Sequence, residues 1–178
     1  MGIMKREALL DAAECVLFEH GTQALTLAAV AERAGVSKGG LLYHFPTKEA
    51  LIKGLVDRVI EEFDSLVASY DDGTPGSYSR AYVEATFAIM TDTEASRTRR
   101  RWTVITAAAA DPALIAPLRE AMARWHRRDP GEAVDPVSGM VVRLAAEGLW
   151  EVAVHDPELY DAEQYAALRR RMLDLLKS

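Results

Sequence analysis

The chain has 178 residues, 49% of them apolar and 27% charged, with a formal net charge of −6. That balance suits a core-forming chain, one compact domain or a small module beside a larger one. No apolar run approaches the ~20 residues needed to cross a bilayer. The N-terminal Met1-Gly2-Ile3-Met4-Lys5-Arg6-Glu7 has no apolar stretch of signal-peptide length. Cys15 is the only cysteine, which excludes an intrachain disulfide and suits a reducing compartment. A cytoplasmic protein without a membrane partner is expected.

An acidic chain repels nucleic acid through its bulk field, but the charge is unevenly spread. Residues 1–32 set Lys5 and Arg6 against Glu7, Asp11, Glu14, Glu19 and Glu32, a balance of −3. Residues 33–58 set Arg33, Lys38, Lys48, Lys53 and Arg58 against Glu49 and Asp57, a balance of +3. A solvated helix face explains such a stretch as readily as a binding surface does.

Every periodic segment reads as helix, with glycine and proline between apolar runs and no strict strand-like alternation. Leu9, Ala13, Val16 and Leu17 share one face of the first segment. Gly21 ends it, since glycine enters the left-handed region freely. Thr26 caps a short second helix whose Leu27, Val30, Ala31 and Ala34 form an apolar stripe. Gly35-Val36-Ser37 makes a turn, Ser37 caps a third helix to about Phe45, and Pro46 breaks it. Thr47 caps a long fourth helix to about Tyr70, and Asp71 to Ser77 is the clearest linker. Further helices are predicted over about 78–91, 94–110, 113–128, 137–155 and 162–177. Asp111-Pro112 and Asp135-Pro136 have the cap-then-proline pattern, Pro117 leaves the start of the 113–128 helix open, and Asp161 with Gln164 resembles a capping box. The expected architecture is all-α: a three-helix module over residues 1–47, then a helical bundle over 48–178, with the 48–70 helix connecting them.

Two short helices joined by a tight glycine-containing turn are the helix-turn-helix pattern, whose second helix enters the major groove of DNA. Here it would comprise Leu27–Ala34, the turn, and Lys38–Phe45. Any helical hairpin shares that spacing; the composition of the second helix says more. Gly39 and Gly40 each cost about 1 kcal/mol relative to alanine inside a helix, which makes sense where something must approach the backbone closely. Lys38, Leu42, Tyr43 and His44 offer a cation, an apolar contact for a thymine methyl, a hydroxyl and an imidazole. Leu41 and Phe45, one turn apart, should point inward. Lys48 opposes the dipole at the start of the fourth helix, a placement that becomes useful if a phosphate binds the same N-terminus. Thr26 and Ser37 stand at helix N-termini that can also face a DNA backbone.

The block Thr26-Leu27, Val30-Ala31 and Ala34-Gly35-Val36-Ser37-Lys38-Gly39-Gly40-Leu41-Leu42-Tyr43-His44-Phe45-Pro46-Thr47-Lys48-Glu49-Ala50-Leu51 resembles the DNA-binding domain of the tetracycline-repressor (TetR) family. Leu10-Asp11-Ala12-Ala13 and Gly21 are similar to that family's first helix, so the likeness covers roughly residues 5–55. The resemblance implies a homodimeric, ligand-responsive regulator, a repressor that binds a near-palindromic operator and is released by a small-molecule effector. It implies phosphate contacts at Thr26, Ser37, Tyr43 and Lys48, and a groove-facing side formed by Lys38, Gly39, Gly40, Leu42 and His44. Gly40 stands where the family usually has threonine or a similar side chain, and Leu42 where it often has an aromatic. Both departures bear on base preference and leave the docking mode intact.

Beyond residue 55 the likeness is one of layout, implying a helical domain that holds a ligand pocket and whose last two helices pair with a partner subunit. Val141, Leu144, Ala145, Gly148, Leu149 and Val152 form a broad apolar face on the 137–155 helix, and Tyr165, Leu168, Met172 and Leu175 repeat at near-heptad spacing. Such faces build a four-helix dimer interface or close the domain's own core. Tyr82, Phe87, Met90, Trp102, Met122, Trp125 and Trp150 are candidates for lining a pocket, although aromatics and methionines fill cores too. They suggest a largely apolar effector, with Glu84, Glu94 or Glu147 able to favour a cationic one. The run Arg97, Arg99, Arg100 and Arg101 reads as a solvated helix end, with anion binding the alternative.

An enzyme is not expected. His20, His44, His126 and His155 lie far apart, no serine or cysteine sits in a nucleophile motif, and no cofactor is implied. Glu151 and His155 at i, i+4 can share a metal, but two ligands do not make a site. A helical metal- or ligand-binding interaction protein without DNA binding is the alternative; it explains the apolar faces but not the paired glycines and the dipole-opposed Lys48.

Overall fold

The computed structural model describes residues 2–91, 105, 111–127, 135–156 and 158–177. Among these the secondary structure is helical throughout, as the all-α reading requires: α1 (Gly2–His20), a 3₁₀ turn (Thr22–Ala24), α2 (Leu27–Arg33), α3 (Lys38–His44), α4 (Lys48–Tyr70), α5 (Ser77–Thr91), α6 (Pro112–Arg127), α7 (Pro136–His155) and α8 (Ala162–Leu175). The chain divides into two compact units, Met1–Val59 with Arg100–Arg119, and Ile60–Arg99 with Glu120–Ser178.

In the first unit the predicted caps all form. Thr26 Oγ1 accepts from Ala29 N, Ser37 Oγ from Gly40 N and Thr47 Oγ1 from Ala50 N, each at 3.1 Å. Each satisfies an amide that its helix cannot. Gly21 ends α1 with φ +75° and Gly35 turns the chain between α2 and α3 with φ +66°, conformations that favour glycine. The core gathers Leu9, Leu10, Val16 and Leu17 of α1, Val30 and Ala31 of α2, Leu41, Phe45, and Leu51, Leu55, Val56 and Val59 of α4. Leu27 and Ala34, expected in the stripe of α2, are only half-buried. Gly54 explains how Phe45 fits: a Cβ there would lie 2.7 Å from the ring's Cε1. Arg58 is 5% exposed and donates to Glu7 at 3.2 Å, to Asp11 at 2.9 Å and to Glu14, tying α4 to three successive turns of α1.

In the second unit α5 packs against α7 and α8. Buried Ala81 and Ala85 on α5, with Ala146 and Ala153 on α7, suit close helix approach. Phe63 from α4 centres an aromatic cluster, with ring centroids 5.2 Å from Tyr82, 4.8 Å from Trp125 and 6.2 Å from Trp150. Asp135 caps α7 by accepting from Ser138 N at 2.8 Å. Asp161 and Gln164 make the full capping box on α8. The linker is one residue shorter than predicted, because α5 starts at Ser77, whose hydroxyl donates to Asp71. The start of α6 falls at Pro112: Asp111 Oδ1 accepts from Ala113 N at 2.8 Å, and Pro117 lies inside the helix. Most of the predicted 94–110 helix, with Glu94, Arg97, Arg99, Arg100, Arg101 and Trp102, lies outside the described residues.

Candidate nucleic-acid interface and regulatory unit

Helix α3 is held from below and open above. Leu41 and Phe45 are buried, as their spacing predicts, while Lys38, Gly39, Gly40, Leu42 and Tyr43 are exposed and His44 is half-buried. Tyr43 is 85% exposed, a large ring left in water next to His44, with centroids 5.1 Å apart. The two glycines differ. A Cβ on Gly39 would meet nothing, so the fold itself does not ask for glycine there. A Cβ on Gly40 would sit 3.3 Å from Ser37 Oγ, so this glycine gives room to the cap of its own helix.

The electrostatics are leaner than the residue count suggests. Arg33 is neutralised by both oxygens of Glu19, at 2.6 and 2.7 Å, and Arg58 is enclosed by acids. Of the other cations in residues 33–58, Lys38 and Lys53 are exposed and Lys48 is half-buried. Lys48 is half-buried and donates to the carbonyl of Thr22 at 3.3 Å, which fixes its ammonium between the 3₁₀ turn and the start of α4. Glu49 shares that helix end. Backbone amides there, and then the Thr47 hydroxyl, hold its carboxyl below the usual range. Thr26, Ser37 and Thr47 are exposed, but each oxygen already serves as a cap.

In the second unit Tyr82, Phe87, Met90, Trp125 and Trp150 are buried and Met122 is half-buried. Tyr82, Trp125 and Trp150 converge on Phe63, which the sequence pattern did not single out. Phe87 instead lines a cavity of about 380 Å³ with Tyr70, Glu84, Tyr165 and Arg169. The Tyr82 hydroxyl donates to Glu147, and His126 Nε2 lies 3.4 Å from the same carboxylate oxygen. Burial, and then the charge of Glu147, push the Tyr82 phenol well above its usual range. Trp125 Nε1 donates to Asp64 at 2.6 Å. Glu84 is held by Arg169 through two hydrogen bonds, at 2.8 and 2.6 Å. Of the acids expected to draw a cation, Glu84 is paired with a guanidinium and Glu147 accepts from a phenol, while Glu94 lies outside the described residues.

Residues 9–55 match the family model described as bacterial regulatory proteins, tetR family, and residues 76–177 match the tetracyclin repressor-like C-terminal domain. This chain belongs to the TetR family. It is 38% identical over 61 residues to the HTH-type transcriptional regulator TtgR of Pseudomonas putida, covering 34% of this chain. It is 34% identical over 85 residues to the HTH-type transcriptional repressor KstR2 of Rhodococcus jostii, covering 46% of this chain. The matched segments span 29% and 39% of those relatives' lengths. The fold is similar to that of SmeT in its triclosan complex, with a TM-score of 0.72 at 21% identity, covering 96% of this chain and 90% of that one.

The residues expected to pair this TetR-family chain with a second copy separate into three sets. Val141, Leu144 and Gly148 are exposed on α7, together with Val137 and Met140, which extend the same apolar surface. Ala145, Val152, Leu168 and Leu175 are half-buried, whereas Leu149 and Met172 are buried within the unit. Ala145, Gly148, Leu149, Val152 and Leu168 line an open groove of about 450 Å³ between α7 and α8, with Tyr160, Gln164 and Tyr165. Glu151 and His155 lie 3.9 Å apart on a solvent-exposed face, and among the described residues no group of three metal-ligating side chains gathers. No described helix is long and apolar enough to cross a membrane.

Proposed function

We propose that this TetR-family chain is a cytoplasmic, homodimeric repressor that binds a near-palindromic operator and is released by a small-molecule effector. The exposed row of α3 carries the reading: a short helix anchored by Leu41 and Phe45 presents Lys38, Gly39, Leu42 and an almost fully exposed Tyr43 to the outside. In this reading Thr26, Ser37, Tyr43 and Lys48 touch phosphates, while Lys38, Gly39, Gly40, Leu42 and His44 face the groove. Residues 1–47 bind DNA, and 48–178 hold the effector and the dimer interface. The exposed Val137, Met140, Val141 and Leu144 favour pairing through α7, because a water-facing apolar strip of this kind marks an interaction site. KstR2 is named a repressor, and SmeT is described in complex with triclosan; both favour the same reading here.

A gel shift against the DNA flanking the chain's own gene tests it. A dimer should place two recognition helices about 34–36 Å apart, or further on a longer site, and bind a two-fold element. Lys48→Ala should weaken binding to every sequence and flatten the salt dependence by about one unit, as the loss of a phosphate contact does. An unchanged salt slope would remove Lys48 from the interface, and a monomer in sedimentation at micromolar concentration would remove the dimer. Effector and DNA must weaken each other's binding by the same factor.

A further inference from the structure

Arg143 lies in the middle of α7 and is 5% exposed. A guanidinium keeps its charge at any physiological pH and carries five N–H donors. Among the described residues Arg143 makes one hydrogen bond, from Nη1 to Ser79 Oγ on α5 at 3.0 Å, and its Nε is buried without a partner. The carboxylate one turn away on the same helix, Glu147, is taken by the Tyr82 hydroxyl. The guanidinium lies back along α7 over Gly139, where Nη1 and Nη2 pass 3.5 and 3.7 Å from the position a Cβ would take, at ordinary contact distance. Ser79 and Tyr82 on α5 thus face Arg143 and Glu147 on α7 as two adjacent rungs. The second rung is complete. The first has no anion among the described residues.

Burying a charge without a counter-charge is among the costliest arrangements in a protein interior. Arg58, equally buried in the first unit, also has an unpartnered Nε but is met by three carboxylates, so what sets Arg143 apart is that no described carboxylate meets its guanidinium. The edge of Arg143 formed by Nε and Nη2 carries no hydrogen bond among the described residues. That edge meets a planar carboxylate with two parallel N–H···O bonds. Tyr82 of the neighbouring rung packs with Trp125 and Trp150 around Phe63, an apolar cluster that suits an apolar ligand body.

We propose that Arg143 is an anion-recognition residue and that the effector of this unit is an apolar carboxylate, held by the Nε–Nη2 edge while Ser79 orients Nη1. The inference rests on the reading of the second unit as an effector site. It replaces a cationic preference with an anionic one, because Glu84 and Glu147 are already engaged.

The test uses the full chain and three matched probe pairs: benzoate and benzamide, 1-naphthoate and 1-naphthamide, decanoate and decanamide. Binding is read by tryptophan fluorescence and thermal shift. At least one carboxylate should bind tenfold or more tightly than its amide. Arg143→Met should abolish that preference without lowering the ligand-free melting temperature, since it removes an uncompensated charge. Arg143→Lys, which keeps the charge but loses the planar edge, should retain only part of the preference, so the idea stays testable if the methionine variant fails to fold. Equal binding of carboxylate and amide, or a preference untouched in Arg143→Lys, overturns the anion site and leaves an effector site of another chemistry. If none of the carboxylates binds, the proposal is overturned, and release of operator DNA by a neutral compound then judges the effector reading separately.

Discussion

Arg58 and Arg143 are buried to the same extent and stand in opposite company. Arg58 joins α4 to α1 through Glu7, Asp11 and Glu14; Arg143 touches α5 through one serine hydroxyl. The contrast separates two uses of a buried charge. In the first unit the acids of three helical turns offset the desolvation of one guanidinium and hold the platform that presents α3. In the second, no described acid meets Arg143 and its Nε has no partner, the arrangement that the proposed anion site requires.

The largest expected effect tests the finished side. Arg58→Met should leave three carboxylates facing one another and cost about 3 kcal/mol, the low end for breaking a buried pair because Glu7 and Asp11 are partly solvated. Urea unfolding measures it. The same substitution at Arg143 should be neutral or mildly stabilising, so a comparable loss at both sites would dissolve the comparison. Gly54→Ala probes packing within the platform. Its new Cβ must displace the Phe45 ring, and overpacking of this kind costs about 1–3 kcal/mol, with a matching fall in the denaturant midpoint. The smallest effect has the opposite sign. Gly39→Ala meets open space and should stabilise α3 by up to about 1 kcal/mol, while weakening operator binding if DNA approaches that backbone. Stability and DNA affinity rising together would mean that Gly39 has no part in the interface.

The two α3 glycines show how far the sequence can be read. Composition marks both as costly, but only the position of Ser37 Oγ tells that Gly40 serves the cap and Gly39 does not. Likewise, counting charges finds a basic stretch over residues 33–58, yet Arg33 and Arg58 are neutralised by Glu19, Glu7, Asp11 and Glu14 from the preceding segment. The pocket candidates were recognisable as large apolar side chains. Phe63, the centre on which Tyr82, Trp125 and Trp150 converge, was not, because it sits on a helix read as a connector.

What the sequence determined alone was local. Helix limits, the caps at Thr26, Ser37, Thr47, Asp135 and Asp161, and the turn at Gly35 follow from interactions spanning a few residues, whose geometry each residue type carries with it. The inward anchors Leu41 and Phe45 follow from the helical period. The tertiary structure decided which charges are satisfied. Arg58 finds its acids 44 to 51 positions away, Arg143 finds Ser79 at 64 and Tyr82 finds Glu147 at 65. No periodicity encodes such pairs, because they depend on how helices lie against one another rather than on how each one winds.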